Sequence, residues 1–396
     1  MKIDKCKWKY GKQAPLVIMM DDLANKYMID KKDGAYIGAD WGGRCKKKNS
    51  WYDFVQRNIF EKYPYAKMTC FLVVGRREDF IRNGKKNITL PVDANDEFIK
   101  FVNEVANDER FELSYHGFTH GEITENGFIQ EWDTFSDISE AVQTIQKGQK
   151  LYQKVTGQKF WGGKYCGYAR NRFSDESIIK SHFDYWCRHW DADIIKGLDR
   201  GEESLELGFF GETVDIPSTI DGSLFSLKKI RYLLTRKYMK ALYYCVKYQI
   251  TLESIIDLLV SRGQILSIQS HTSPIREDKE RQSPNIIDDI KNIQYILDYV
   301  KKYDIWYATC KEINDYFRIY SAVDLQVQGD AIQLEIDEKL LKNVLDREIW
   351  IKIYDLDPEF KWYLRRGDEK FLLSQKDDFH ITNLPVIKGK FEIIKE

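Results

Sequence analysis

Asp21 and Asp22 stand side by side at the end of an apolar run, PLVIMMDDL. Two adjacent carboxylates at a strand end repel each other, so a neighbouring cation is expected. In an extended segment their side chains point to opposite sides. Further along, HGFTH supplies His116 and His120, four residues apart, directly after the strand-like FELSY. On a turn of helix that spacing puts both imidazoles on one face, with Cβ atoms about 5–6 Å apart. Neutral imidazoles suit borderline divalent metals, and one carboxylate completes a three-ligand site with room for water. The Asp pair then divides the work: one binds the ion and the other stays free beside its water. His271, in QSHTSP, lies just past another strand-like run, QILSIQS. Taken singly, each feature is ordinary, since most such pairs are satisfied histidines or solvated acids. Their weight is joint, because all three follow strand ends, and the C-terminal ends of parallel strands converge on one face.

The elements that must position these residues are readable from periodicity. LVIMM, MTCFLVV (68–74), FELSY (111–115), QILSIQS (264–270) and IWYATC (305–310) read as strands. Residues 96–108 carry Phe98, Phe101, Val102 and Val105 at helical spacing. Helices are also predicted at 137–157, stopping at Gly157, and at 285–304. This alternation argues for a parallel α/β domain, barrel or doubly wound. From about residue 321 helical period fades, and short strand-like runs are separated by turns at Gly329, Pro358, Gly367 and Gly389. The expected division is residues 1–320 as an α/β domain and 321–396 as a small all-β, sandwich-like domain.

Two stretches stand apart. Residues 25–51 are long, polar and Gly-rich, directly after the Asp pair. Their DKKDG is not a calcium loop, since aligning Gly34 to the loop glycine puts Ile29 and Lys31 where carboxylates are needed. Residues 226–249 read as a basic, aromatic helix, a solvated face or else a membrane-surface or phospho-ligand contact.

Composition narrows the function classes. Lys plus Arg number 61 against 62 Asp plus Glu, so no bulk positive field favours nucleic acid. Aromatic residues make up 14%, including 24 Tyr and 10 Trp, a surplus that leans toward a carbohydrate ligand because such rings stack on sugar faces. The first residues are charged and lack an apolar signal core, and no run reaches membrane-spanning length, so a cytoplasmic protein, at most membrane-peripheral, is expected. Seven cysteines without CxxC pairs read as reduced thiols.

The strings MMDD, HGFTH and IQSHT, in that order, resemble the motifs of the NodB-type polysaccharide deacetylases, carbohydrate esterase family four. The resemblance covers about residues 15–320 and implies a distorted (β/α) barrel; the strand-rich tail is similar to accessory domains appended to some members. It further implies that Asp21 is the catalytic base, that Asp22, His116 and His120 hold a divalent metal, zinc before other ions, and that His271 is the general acid. Where the family has Ser or Thr after the first metal His, this chain has Gly117. Where it has Arg-Pro-Pro-Tyr-Gly, this chain has GGKYCGYAR, with Lys164 at the Arg place and Cys166 at a Pro place. Lys164 then pairs with Asp21, as a point charge and not a fork, and a backbone N–H near Tyr165 holds the oxyanion. An acidic fourth motif falls in YWCRHWDAD, with Asp191 or Asp193 tuning His271.

The implied reaction is removal of an N-acetyl group. The expected substrate is an N-acetylated sugar, a glycan precursor, a nucleotide-sugar or a lipid-linked intermediate. Trp41 and Trp51 of the 25–51 stretch are the candidate substrate-binding residues. Trp350, Tyr354, Trp362 and Tyr363 of the tail are expected to fill its core before serving as a sugar platform. Two rival classes are another C–N or glycosidic-bond hydrolase on the same barrel, and a non-catalytic carbohydrate-binding protein.

Overall fold

The computed structural model describes residues 2–26, 41, 43, 50–80, 86–188, 206–223, 251–273 and 281–396. The chain divides into two compact units. One comprises Met1–Pro15, Tyr303–Trp306 and Glu312–Glu396; the other comprises Leu16–Lys302 and Tyr307–Lys311. A cut at 320/321 does not coincide with this division. Helix Cys310–Ala322 runs directly into strand Val323–Gln328. The N-terminal strand Ile3–Lys5 pairs antiparallel with Glu348–Tyr354, Ile3 opposite Ile353, which brings the first residues into the smaller unit. Periodicity along the chain cannot report a pairing between its two ends.

The larger unit is built on one curled, half-barrel sheet. Its strands run in the order Gly208–Phe210, Thr213–Asp215, Tyr185–Cys187, Gly162–Lys164, Phe111–Tyr115, Met68–Leu72, Ala14–Leu23, Leu266–His271, Ile220–Asp221. Apart from the Gly208–Phe210/Thr213–Asp215 hairpin, these neighbours pair in parallel. Every residue of Ala14–Leu23 is buried, as a central strand covered on both faces requires. The expected helices are present. Asp96–Ala106 is capped by Asn95, whose side chain accepts from the Phe98 N–H. Ile138–Thr156 is capped by Asp137 and stops at Gly157, whose φ of 72° ends the helix in the left-handed conformation. Ile286–Tyr299 is capped by Asn285.

The smaller unit carries an eight-stranded antiparallel sheet with one continuous hydrogen-bonded order. Strand Glu369–Lys376 turns the corner: its first residues pair with Trp362–Arg366, and Ser374–Lys376 pair with Phe379–Pro385. The all-β character expected of the tail is present, its strands joined in one hydrogen-bonded order. Along Glu348–Tyr354, Ile349, Ile351 and Ile353 are buried, while Trp350 and Tyr354 fall on the opposite, half-buried face. Trp362 and Tyr363 are half-buried as well, so the core is filled chiefly by aliphatic side chains and not by these four aromatic rings.

Candidate active site

The parallel strands deliver their chemistry at their C-terminal ends. Asp21 and His271 lie opposite each other on adjacent strands, their Cα atoms in register. Lys164 is the last residue of Gly162–Lys164, and His116 directly follows Phe111–Tyr115. Between Met20 and Leu23 the register shifts by one residue against the Met68–Leu72 strand, a bulge at the Asp pair. Asp22 takes a φ of 72°. The plain alternation of an extended strand is therefore broken here, as bulges do where a strand must re-aim a side chain.

Asp22 is fully buried. Its Oδ1 lies 3.1 Å from His120 Nε2, 3.6 Å from His116 Nε2 and 2.7 Å from Arg77 Nη1. Burial is the largest single influence on this carboxylate and opposes its charge. Arg77 first, then His120, outweighs it and holds the group well below the ordinary range. Burial, with Arg77 adding to it, drives His120 down to about 3 against the pull of Asp22. An imidazole kept neutral is the form that can ligate a metal.

The HxxxH spacing brings the two rings together, centroids 5.0 Å apart, but not on a helix. Gly117 has a φ of 87° and His120 a φ of 69°, so the segment is a loop with left-handed residues. Its organiser is Glu131, on the short helix Glu131–Thr134, which accepts from the N–H groups of Phe118 (2.8 Å), Thr119 (2.7 Å) and His120 (2.7 Å). A Cβ at Gly117 would collide with that carboxylate, which explains glycine at a position where the resembling family has Ser or Thr.

The tautomers are set from outside. His116 Nδ1 is 3.0 Å from the Lys164 carbonyl, which can only accept, so Nδ1 carries the proton and Nε2 faces Asp22. His271 Nδ1 likewise donates to the Pro284 carbonyl at 2.7 Å, and its Nε2 lies 3.8 Å from Asp21 Oδ2. The group that orients His271 at Nδ1 is therefore a backbone carbonyl. Asp191 and Asp193, expected to tune it, lie outside the described residues, as does the whole of the basic segment 226–249. Asp21 Oδ1 pairs with Lys164 Nζ at 2.9 Å, and Gln269 Nε2 reaches Asp21 Oδ2 at 3.4 Å. Burial disfavours the charge on Lys164, but Asp21 prevails and raises its proton affinity above that of an ordinary lysine.

The remaining expected residues are placed differently. The Tyr165 hydroxyl donates to Asp175 at 2.8 Å, and its N–H donates to the Cys187 carbonyl at 3.4 Å, so that N–H is already committed to the sheet. Trp51 is wholly buried, its ring 6.4 Å from Phe111, as a core residue and not an open sugar platform. Trp41 is also buried, with the Arg77 guanidinium 4.6 Å from its ring centre. Most of the 25–51 stretch lies outside the described residues. Sequence reasoning missed Arg77, Glu131, Gln269 and Pro284. Arg77, Glu131 and Pro284 meet the site only through the fold, whereas Gln269 lies two residues before His271 on the same strand.

The donors suit a divalent ion. In a tetrahedral site with metal–ligand distances of about 2.0–2.2 Å, neighbouring donor atoms lie roughly 3.3–3.5 Å apart, and the two imidazole nitrogens bracket that range in their distances from Asp22 Oδ1. Asp22 Oδ2 is buried with no hydrogen-bonding partner among the described residues. Cys166 adds a thiol whose sulfur lies within 4.8 Å of ligand atoms of His116 and His120, although it now donates to the His116 carbonyl at 3.1 Å. Burial, followed by Glu131, holds that thiol well above its ordinary range.

No family model matches the chain, and no curated protein matches it in sequence. Solved structures are similar to it. A protein described as a polysaccharide deacetylase from Mycobacterium smegmatis aligns with a TM-score of 0.45 at 12% identity, over 81% of this chain and 96% of its own. One so described from Pseudomonas aeruginosa PAO1 gives 0.44 at 15% identity, over 78% and 93%. Puue allantoinase gives 0.43 at 14% identity, over 78% and 92%. Polysaccharide deacetylases and a family 4 acetyl xylan esterase are thus among the solved structures to which this chain is similar.

Proposed function

We propose that this chain is a metal-dependent hydrolase of the NodB type that removes an N-acetyl group from a sugar or glycan precursor. The observation that carries the reading is the placement of Asp21 between Lys164, 2.9 Å from one carboxylate oxygen, and His271 Nε2, 3.8 Å from the other, beside the Asp22–His116–His120 cluster. A binding protein has no need of a second acid held in this way.

Asp22, His116 and His120 are the ligands in this reading. A divalent ion there supplies a Lewis acid for the acyl carbonyl and lowers the pKa of water. The residues of the chain supply the proton transfers. Asp21, held by Lys164 at Oδ1, accepts the proton of the attacking water at Oδ2. His271, on the neighbouring strand with its Nε2 3.8 Å from Asp21 Oδ2, enters as the imidazolium and delivers the Nε2 proton to the departing amine while Nδ1 stays bonded to Pro284. Protonation of that nitrogen makes C–N cleavage feasible, and the products are acetate and a free amino sugar.

The test is acetate release from a panel of N-acetylated sugars, nucleotide-sugars and glycans, with metal content measured on the same preparation. Metal-loaded protein that releases acetate from a member of the panel, and loses that activity in Asp21→Asn, supports the reading. Release that is unimpaired in Asp21→Asn rejects it. Sugar binding without turnover, at full metal content, favours the non-catalytic alternative.

A further inference from the structure

Each aspartate of the pair has its own buried base. Lys164 takes Asp21, and Arg77 takes Asp22, with both basic side chains almost wholly closed off from solvent. Each of these four groups carries one formal charge, so Asp22 already faces a cation before a divalent ion enters the cluster. Arg77 also contacts the same oxygen that faces the two imidazole nitrogens: Nη1 is 2.7 Å from Asp22 Oδ1, while His120 Nε2 and His116 Nε2 are 3.1 and 3.6 Å from it. A guanidinium and a divalent cation on one oxygen repel strongly, because little water screens them in a buried site.

We propose that Arg77 is a resident competitor for Asp22: the guanidinium holds the carboxylate when no metal is present and is displaced when the metal binds, so Arg77 sets the metal affinity of the site. The inference rests on the reading of Asp22, His116 and His120 as metal ligands. The structure gives Arg77 the means for both states. Its backbone is fixed by Thr89, with the Arg77 N–H donating to Thr89 Oγ1 at 2.8 Å and the Thr89 N–H donating to the Arg77 carbonyl at 2.9 Å. Its guanidinium rests 4.6 Å from the Trp41 ring centre, a cation–π contact that holds the charge without using its hydrogen-bond donors. Only the side chain need shift to release Asp22. A buried carboxylate with no cation at all is costly, so the arrangement keeps the metal-free site intact while lowering the affinity of the metal-loaded one.

The experiment is a Zn2+ titration of chelator-stripped protein by competition with an indicator of known affinity, at one pH and ionic strength, on wild type, Arg77→Met, Arg77→Lys and Asp22→Asn. Arg77→Met should bind Zn2+ at least about tenfold more tightly than wild type, as expected for a coupling of ordinary size between two ligands of one group. Arg77→Lys, which keeps a cation without the planar fork, should fall between them. Without metal, Arg77→Met should melt below wild type and gain more from added Zn2+. Unchanged or weaker binding by Arg77→Met overturns the proposal. If Arg77→Met does not fold without metal, Arg77→Lys decides, and affinity no tighter than wild type overturns it. Asp22→Asn that binds as wild type does shows that the ligand reading itself is wrong, and the competition falls with it.

Discussion

Lys164 reaches Asp21 through one carboxylate oxygen: its Nζ lies 2.9 Å from Oδ1, and both side chains are closed off from solvent. An ammonium is a point charge, whereas a guanidinium would take both oxygens in a fork. The single contact leaves Oδ2 toward His271 and Gln269, where a water could be received. Lys164→Met should remove the cation and leave Asp21 buried without one, a change worth about 3–5 kcal/mol of stability, read as a lower midpoint in denaturant. Lys164→Arg should restore much of the stability and little of the acetate release, because the fork claims the second oxygen. Equal turnover in Lys164→Arg and wild type would show that the single-oxygen geometry is immaterial.

The second expectation separates proton transfer from metal binding. Asp21→Asn keeps the shape and loses the base, and His271→Ala loses the acid. Each should retain metal at the wild-type stoichiometry, and each should lower acetate release by about 10²–10⁴. His271→Ala should be less damaging for substrates whose leaving group needs no proton. Loss of metal in either variant would reassign that residue as a ligand.

Glu131 is the structural guarantor of the HGFTH loop, since it accepts three successive N–H groups. A carboxamide turns one of its two acceptors into a donor facing donors. Glu131→Gln should therefore lower stability by about 2 kcal/mol or more and weaken metal affinity by about 10–100-fold, the usual range for groups that orient ligands. Gly117→Ser should act in the same direction, because its side chain enters the space the carboxylate fills. Wild-type metal affinity in Glu131→Gln would mean that the loop holds its shape by other contacts.

The parts of this site that were legible in the sequence are those encoded locally. The Asp pair, the two histidines and His271 each follow a strand-like run within a few residues, and the parallel sheet gathers such ends. The helices at 96–106 and 138–156 were legible because capping residues and apolar spacing agree. What escaped depends on distant contacts. Arg77 and Glu131 lie in ordinary-looking charged contexts, and only the fold points them at Asp22 and at the loop. The helical turn assumed for HGFTH gave way to a loop because Gly117 admits a left-handed backbone and Glu131 rewards it with hydrogen bonds. The membership of the first residues in the smaller unit was not legible because Ile3–Lys5 pairs with a strand at the other end of the chain.

The last expectation concerns Glu112, near the start of strand Phe111–Tyr115 and so away from the strand ends that carry the site. Its carboxylate is buried and accepts from Thr69 Oγ1 at 3.0 Å, Ser114 Oγ at 3.1 Å, the Tyr185 hydroxyl at 2.7 Å and the Lys311 N–H at 2.9 Å. Burial dominates and raises its proton affinity above the ordinary value of 4.5; the donors, Tyr185 first, oppose this without cancelling it. The native state therefore holds this proton more tightly than the unfolded chain does. The stability linked to it is fully present below 4.5 and is lost as the pH rises through the elevated native value. Glu112→Gln cannot titrate. Its carboxamide loses acceptors and should cost stability at low pH, but that deficit should shrink as the pH rises, because the wild type alone is then destabilised. Thermal unfolding of both proteins in chelator, from below 4.5 to neutrality, reads this directly. A constant offset between the two curves would show that Glu112 ionises in the native state as freely as in the unfolded one, with its four donors fully offsetting the burial.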